Sequence, residues 1–463
     1  MKKLILYSTI TLLTFFTTTI KAQDIGVFKP SRYDDDYSFL KDDTVKTWYK
    51  SIKYIPISNK KKDSYITLGG EARFRYIYVH NDQWGAVEED KDGYVLSRFI
   101  FNSDFHFSKK ISAFVQLQSS MENGKPNSSS VEENPLDLHQ VFVDYKPISN
   151  QNHELTIRLG RQELAYGSLR LVSTRDNPNS RQSFDGTKIM YQSKKNQFKA
   201  DVFYTNYVAS HRGIFDDKFN KDVKFWGSYL TKNEVFKNHG LDVYYLGIWK
   251  RIAVLNDARG KEVRHSVGTR FWNSKNNWLY DFEAIYQFGN IDHKEISAWT
   301  ASIKTTYKFD AIKFKPTIGL KTEIISGDRR IGDNKIQTFN PLYAMGGYFG
   351  LAALIGPSNI IDIHPSLNMT LLKSVNFEID YDIFCRYRAQ DGIYRANSSL
   401  IYSDGDTNAK RIGNQLTAAI MYEPNGFFYM RAEMTSFKPG NYLKAVGPGK
   451  NLLFLGLTTQ FKF

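Results

Sequence analysis

Cysteine is nearly absent from this 463-residue chain. The single thiol, Cys385, excludes any intrachain disulfide framework. Long apolar runs are scarce as well. Beyond residues 4–20, no stretch approaches the roughly 20 apolar residues that a membrane-spanning helix needs. A mean hydropathy of −0.44 and a hydrophobic fraction of 41% exclude a helical membrane protein. They leave open a membrane β-barrel, which needs apolar side chains only at alternate strand positions. No dense basic tract or nucleic-acid readout motif is present, so the excess of 62 basic over 48 acidic residues points to a small or polymeric anion as partner, not nucleic acid. The nine histidines lack metal-ligand spacing. No serine stands in a recognisable nucleophile context. Gly447-Pro448-Gly449-Lys450 lacks full P-loop spacing and reads as turn chemistry. No catalytic residue, metal or cofactor is expected.

What the chain does have is aromatic residues, 29 Tyr and 33 Phe, and period-two alternation. Ile66, Leu68, Gly70, Ala72, Phe74, Tyr76 and Tyr78 share one face of a first strand, and Thr67, Gly69, Glu71, Arg73 and Arg75 share the other. This run is longer than the usual soluble strand of about five or six residues, and a tilted membrane strand needs about 9–11. The pattern recurs to the terminal Phe463. About eighteen strands are read in all between Ile66 and Phe463, with short turns near 108–110, 194–197, 273–278, 374–376 and 423–426. Long connections lie near 80–94, 122–137, 165–185, 210–223, 326–364, 388–413 and 438–451. Short turns on one side and long loops on the other are the rhythm of an antiparallel outer-membrane barrel. A polar face this charged cannot pack dry against a second sheet, so it suits a water-filled lumen.

The organisation read from this is a secretory leader over 1–22 (Lys2 and Lys3, an apolar stretch, Ala22 before Gln23). A periplasmic lead-in follows over 23–64, with charge runs Asp34-Asp35-Asp36 and Lys60-Lys61-Lys62 and a helical turn near 44–50. The barrel occupies 65–463, with both termini on the short-turn, periplasmic side. By strand parity Arg73, Arg75, Arg98, Arg158, Arg264, Arg270 and Arg386 face the interior. Arg161 follows Gly160, where a bulge can shift the phase. Arg170, Arg175 and Arg181 lie with Asn177, Pro178 and Asn179 in one long loop, expected to fold inward and narrow the pore; outside, it would contact lipopolysaccharide. A guanidinium fork pairs bidentately with carboxylates, and rings of such groups select anions. The expected acidic partners are Glu71, Asp104, Asp201, Glu283, Glu323, Asp380 and Asp382. The competing structural reading is that these arginines only stiffen the wall. His106 is expected inside, His265 and Cys385 outside, and Asp328, Asp333 and Asp391 in solvated loops.

Several stretches resemble the outer-membrane alginate export family. They include Leu68-Gly69-Gly70-Glu71-Ala72-Arg73-Phe74-Arg75-Tyr76, Leu136-Asp137-Leu138-His139-Gln140, Arg158-Leu159-Gly160-Arg161-Gln162-Glu163 and Ser183-Phe184-Asp185-Gly186. Further on come Arg264-His265-Ser266-Val267-Gly268, Thr338-Phe339-Asn340-Pro341-Leu342, Ile355-Gly356-Pro357-Ser358-Asn359 and Asp391-Gly392-Ile393-Tyr394. The resemblance implies a monomeric porin of eighteen strands with an arginine-rich lumen that conducts anionic polysaccharide such as alginate. Its expected partners are that polymer or its oligomers, outer-membrane lipid and lipopolysaccharide, and, through the terminal Phe463, the barrel-assembly machinery. Two other function classes compete: an outer-membrane barrel enzyme of lipase type, and a loop-based surface receptor or adhesin.

Overall fold

The computed structural model describes residues 28–42, 47–58, 63–88, 91–125, 128–255 and 257–463. The expected leader and Lys60-Lys61-Lys62 lie outside the described residues. Eighteen long strands form the wall: β1 Tyr65–His80, β2 Tyr94–His106, β3 Ile111–Asn123, β4 Asn134–Ser149, β5 His153–Gln162 and β6 Phe184–Ser193. They continue with β7 Phe198–Ala209, β8 Lys218–Phe236, β9 His239–Leu255, β10 Ala258–Asn273, β11 Trp278–Ile291 and β12 Lys294–Lys308. The last six are β13 Thr317–Ile325, β14 Ile360–Leu372, β15 Val375–Arg386, β16 Arg411–Tyr422, β17 Phe428–Pro439 and β18 Leu452–Lys462. Each pairs antiparallel with its neighbour, and β1 pairs with β18, so the sheet closes and has no free edge. The fold expected from the alternation is therefore observed.

The wall turns its apolar side outward. Phe74, Phe99, Phe101, Val143, Leu159, Val202 and Ile303 are exposed, while their strand neighbours Arg73, Arg98, Asn102, Arg158 and Ser302 are buried. A one-residue slip in register would exchange these two sets, so the alternation itself fixes the pairing.

Two features depart from the expected rhythm. β9 ends at Leu255 and β10 begins at Ala258, while β11 ends at Ile291 and β12 begins at Lys294, so both connections are short on the side where long loops were expected. There β8 to β12 run for 19, 17, 16, 14 and 15 residues, so chain that reads as loop is spent on extended hairpins. Accordingly β8 begins at Lys218 and β12 at Lys294, ahead of the expected starts at Lys224 and Trp299.

The barrel is partly filled from both ends. From the loop end, Leu164, Leu171 and Val172 meet Phe339, Phe349 and Ile355 against wall residues Phe184, Phe203 and Phe225 in one buried apolar cluster. Each such side chain contributes about 1.5–3 kcal/mol on burial, enough to hold loops inside. Backbone bonds join the two loops, Tyr343 N to Leu171 O at 2.8 Å and Ser173 N to Tyr343 O at 3.0 Å.

The segment expected as a periplasmic lead-in enters the barrel from the other end. The Tyr33 ring lies edge-on to Phe114 at 5.6 Å and Phe142 at 5.2 Å, both on the buried face. Arg32 donates to the Phe463 carbonyl at 2.8 Å, and Lys53, ending the short helix Trp48–Lys53, donates to Leu68 O at 2.7 Å. Gly69 makes this approach possible, since a Cβ there would fall 3.1 Å from both Arg32 Nη2 and Lys53 Nζ.

Candidate functional site

Arg73 on β1 stands directly opposite Arg98 on β2. Two like charges across a strand pair repel, so an acid has to sit between them. Glu71, two residues back on the same face, supplies one: Arg98 donates to it from Nε at 3.0 Å and from Nη2 at 2.5 Å. The second comes from the loop 163–183, which folds inward. Asp176 accepts from Arg98 Nη2 at 2.6 Å and from Arg73 Nη1 at 3.2 Å. The loop backbone completes the match. Arg73 reaches the carbonyls of Asp176 at 2.9 Å and Pro178 at 3.2 Å, and Arg75 reaches that of Pro178 at 3.1 Å. Asn179 anchors the tip, donating to Ser97 O, Met121 O and Glu132 O at 3.0–3.2 Å.

The Arg73 and Arg98 side chains are 0–2% exposed, yet Asp176 is 61% exposed although protein surrounds it. It borders open space within the barrel. Burial pushes the Asp176 carboxyl up, but Arg98 and Arg73 together hold it well below the ordinary carboxylate range.

The same loop reaches the far wall with the opposite charge. Arg170 pairs with Glu283 of β11 at 3.0 Å and with Glu323 of β13 at 3.0 Å. Arg181 pairs with Glu163 at 2.8 Å, which also meets His139 at 2.7 Å. Arg175 donates to Tyr207 Oη at 3.1 Å.

The remaining arginines are spread around the wall, each with partners of its own. Arg158 grips Asp144 with two bonds of 2.8 Å and lies 4.1 Å from the Tyr33 ring centre. Arg264 pairs with Glu262 at 2.6 Å, and Arg270 with Asp281 and Asp242 at 2.6 and 3.0 Å. Arg386 donates to five carbonyls, among them Ala389 O at 2.7 Å and Thr407 O at 2.6 Å, and so ties down the loop 387–410. Arg161 does not join them. Gly160 adopts φ +133° but the alternation runs on through it, so Arg161 lies on the outer face with the exposed Leu159 and pairs with Asp185 at 2.9 Å.

Several expected acidic partners serve other cations. Asp104 meets His106 at 3.0 Å, and Asp201 meets Lys188 at 2.8 Å. Asp380 and Asp382 both meet His364, at 3.3 and 2.5 Å. Beside them Lys321 bridges Glu323 at 3.3 Å and Asp362 at 3.5 Å. Asp144, Asp176, Lys321, Asp362 and His364 escaped the sequence reading. The usable signal was strand parity for Lys321, two residues from Glu323, and for His364, two from Asp362. Asp176 in a loop carried none. Asp391, read as solvated, is buried and accepts four bonds, from Asp328 N, Thr338 Oγ1, Gly392 N and Tyr394 Oη.

A family profile described as alginate export matches residues 64–451. The chain belongs to the alginate export family. Its fold is similar to crystal structures from Pseudomonas aeruginosa. OccK1 (OpdK) shares 11% identity over 87% of this chain and 99% of that one, with a TM-score of 0.56. OccK5 (OpdH) shares 12% over 86% and 98%, with a TM-score of 0.53. OpdK, described as an outer membrane protein, shares 11% over 86% and 98%, with a TM-score of 0.55. At these identities the likeness is one of fold. No curated relative matches the sequence.

Proposed function

We propose that this alginate export family member is an outer-membrane channel that passes anionic polysaccharide, or sugar-acid oligomers, along its arginines by diffusion. The observation that carries this reading is Asp176, exposed to interior space and ringed by Arg73, Arg75 and Arg98. An incoming carboxylate has the same chemistry as the Asp176 side chain. It exchanges with it on the guanidinium forks and inherits their bidentate geometry. Acids already present on the wall keep that grip weak enough for release. Family membership supports a uronate polymer as cargo. Short turns beside both chain ends support a periplasmic placement of the termini. In this arrangement the described residues hold a narrowed state, because the loop and the N-terminal segment meet where Arg181 Nη2 reaches Pro30 O at 3.5 Å.

Conductance of the purified protein in a planar bilayer tests the proposal. Currents carried mainly by anions, and reduced by added polyguluronate, are the expected outcome. Cation preference, or indifference to the uronate, overturns it. The buried apolar cluster at the loop end favours one second reading, a loop-based receptor that transports nothing; failure of sugar acids to swell reconstituted liposomes would favour that reading.

A further inference from the structure

Away from the arginines of β1 and β2, the inner wall carries an arrangement on β14 and β15 that pore chemistry alone does not explain. Asp362 and His364 alternate on β14, and Asp382 stands beside them on β15, one step from the Ile363–Ile383 pair. One ligand-type atom from each, a carboxylate oxygen or an imidazole nitrogen, lies within 4.8 Å of the other two. Asp362 is fully buried, and neither of its oxygens accepts a hydrogen bond. The cationic groups beside it are Lys321, whose Nζ stands 3.5 Å away, and the His364 ring of the same cluster, and neither gives it a hydrogen bond. Other buried carboxylates of the wall are not left this way: Asp144 accepts two bonds from Arg158, and Asp242 accepts from Tyr229 and Arg270. A buried carboxylate without hydrogen bonds is costly unless a cation compensates it.

The surroundings fit a metal. His364 points Nδ1 into the cluster, 2.5 Å from Asp382 Oδ1, and its Nε2 lies 3.3 Å from Asp380 Oδ1, an outer carboxylate of the kind that orients ligand imidazoles. Asp382 offers Oδ1 while its Oδ2 accepts from Gln415 Nε2 at 3.1 Å. Gln415 is itself fixed by the Phe349 carbonyl at 2.7 Å, on the loop covering the site. Two ligands are thus each held by a second group, and His364, 19% exposed, leaves a way in from the interior.

We infer that Asp362, His364 and Asp382 form a binding site for a divalent transition cation of the zinc or cobalt type. One imidazole and two carboxylates are borderline donors, and three protein ligands leave positions open for water. The site does not depend on what the barrel transports.

The test uses the full chain, refolded in detergent and stripped with chelator. Titration with Co2+ is followed by its visible absorption, and titration with Zn2+ by calorimetry. One saturating site is expected. Asp362→Asn and His364→Gln should each weaken it by roughly tenfold or more, whereas Asp137→Asn, in the other acidic group of the wall, should not. No saturable binding to the wild type, or unchanged affinity in both variants, overturns the inference. Should the variants fail the heat-modifiability test of folding, X-ray absorption of zinc-loaded wild type decides. One imidazole with oxygen ligands supports the site, and a shell of oxygen alone or of several imidazoles refutes it.

Discussion

The two halves of the inner wall solve opposite charge problems. On β1 and β2, Arg73, Arg75 and Arg98 crowd together, and their neutralising charges come from Glu71 and from a loop delivered across the barrel. On β13 to β15, Glu323, Asp362, Asp380 and Asp382 crowd together, and Lys321 and His364 of the wall itself do most of the compensating. The loop 163–183 touches both halves, bringing an acid to the basic side and Arg170 to the acidic side. It is therefore an electrostatic strut between them. In the proposed function, guanidinium groups facing carbonyls and one water-exposed acid exchange partners with a passing carboxylate. Carboxylates that are fully buried cannot exchange with solvent, so the acidic side is built to hold a charge in place.

The largest break in this comparison is expected from Arg98→Ala. It leaves Glu71 without its main partner and unties Asp176 from the wall. Removing one member of a buried ion pair costs about 3–5 kcal/mol, and the lower end applies here because Asp176 is open to water. Urea unfolding of the refolded barrel should shift accordingly, and protease should cut within 163–183. A variant as stable and as resistant as the wild type would show that the loop is held by its apolar cluster alone.

Asp176→Asn sharpens the comparison from the other direction. It keeps shape but withdraws the charge that competes with cargo. Charge-assisted bonds contribute about 1.5–3 kcal/mol, so block by polyguluronate should set in at roughly tenfold lower concentration. Arg170→Met acts on the opposite wall, leaving Glu283 and Glu323 with less compensation. A smaller effect is expected there, a modest rise in cation permeability read from bi-ionic potentials, with uronate block almost unchanged.

The smallest effect concerns the N-terminal segment. Burial, with Arg32 adding to it, pushes the Lys53 ammonium down to about 7 from its ordinary 10.5. Between those values the undocked segment binds more protons than the docked one, so docking strengthens as pH rises from about 7 toward 10.5 and is weakest below that window. Conductance should fall as pH is raised from 7 to 10. In Lys53→Met that pH slope should vanish, and an equal slope in the variant would assign the effect elsewhere.

Much of this was legible in the sequence, for a simple reason. A closed wall imposes a period of two, and side chains report it directly. Hence Arg73, Arg98, Arg158 and Arg264 could be assigned a face, and strands near Phe198, Lys315 and Phe427 could be started within a residue or two. Parity held at Arg161 as well; its face was left open only because Gly160 was granted a bulge it does not make. What the strands do not record is where chain inside the barrel lies. Asp176 sits in an aperiodic loop, and Tyr33 and Arg32 belong to a segment whose charge runs read as a periplasmic lead-in. Their placement depends on contacts with residues far away in sequence, such as Arg98, Phe142 and Phe463. Partners across strands, including the gathering of Asp362, His364 and Asp382, depend on register, which a face assignment leaves open.

The reversal potential of the purified barrel in a planar bilayer under a potassium chloride gradient tests the central claim most directly. The account predicts a potential displaced toward that of chloride, and a shift toward potassium when Arg73 and Arg98 are both changed to Glu. A wild-type potential on the potassium side, or one that the double change leaves where it was, would contradict the account.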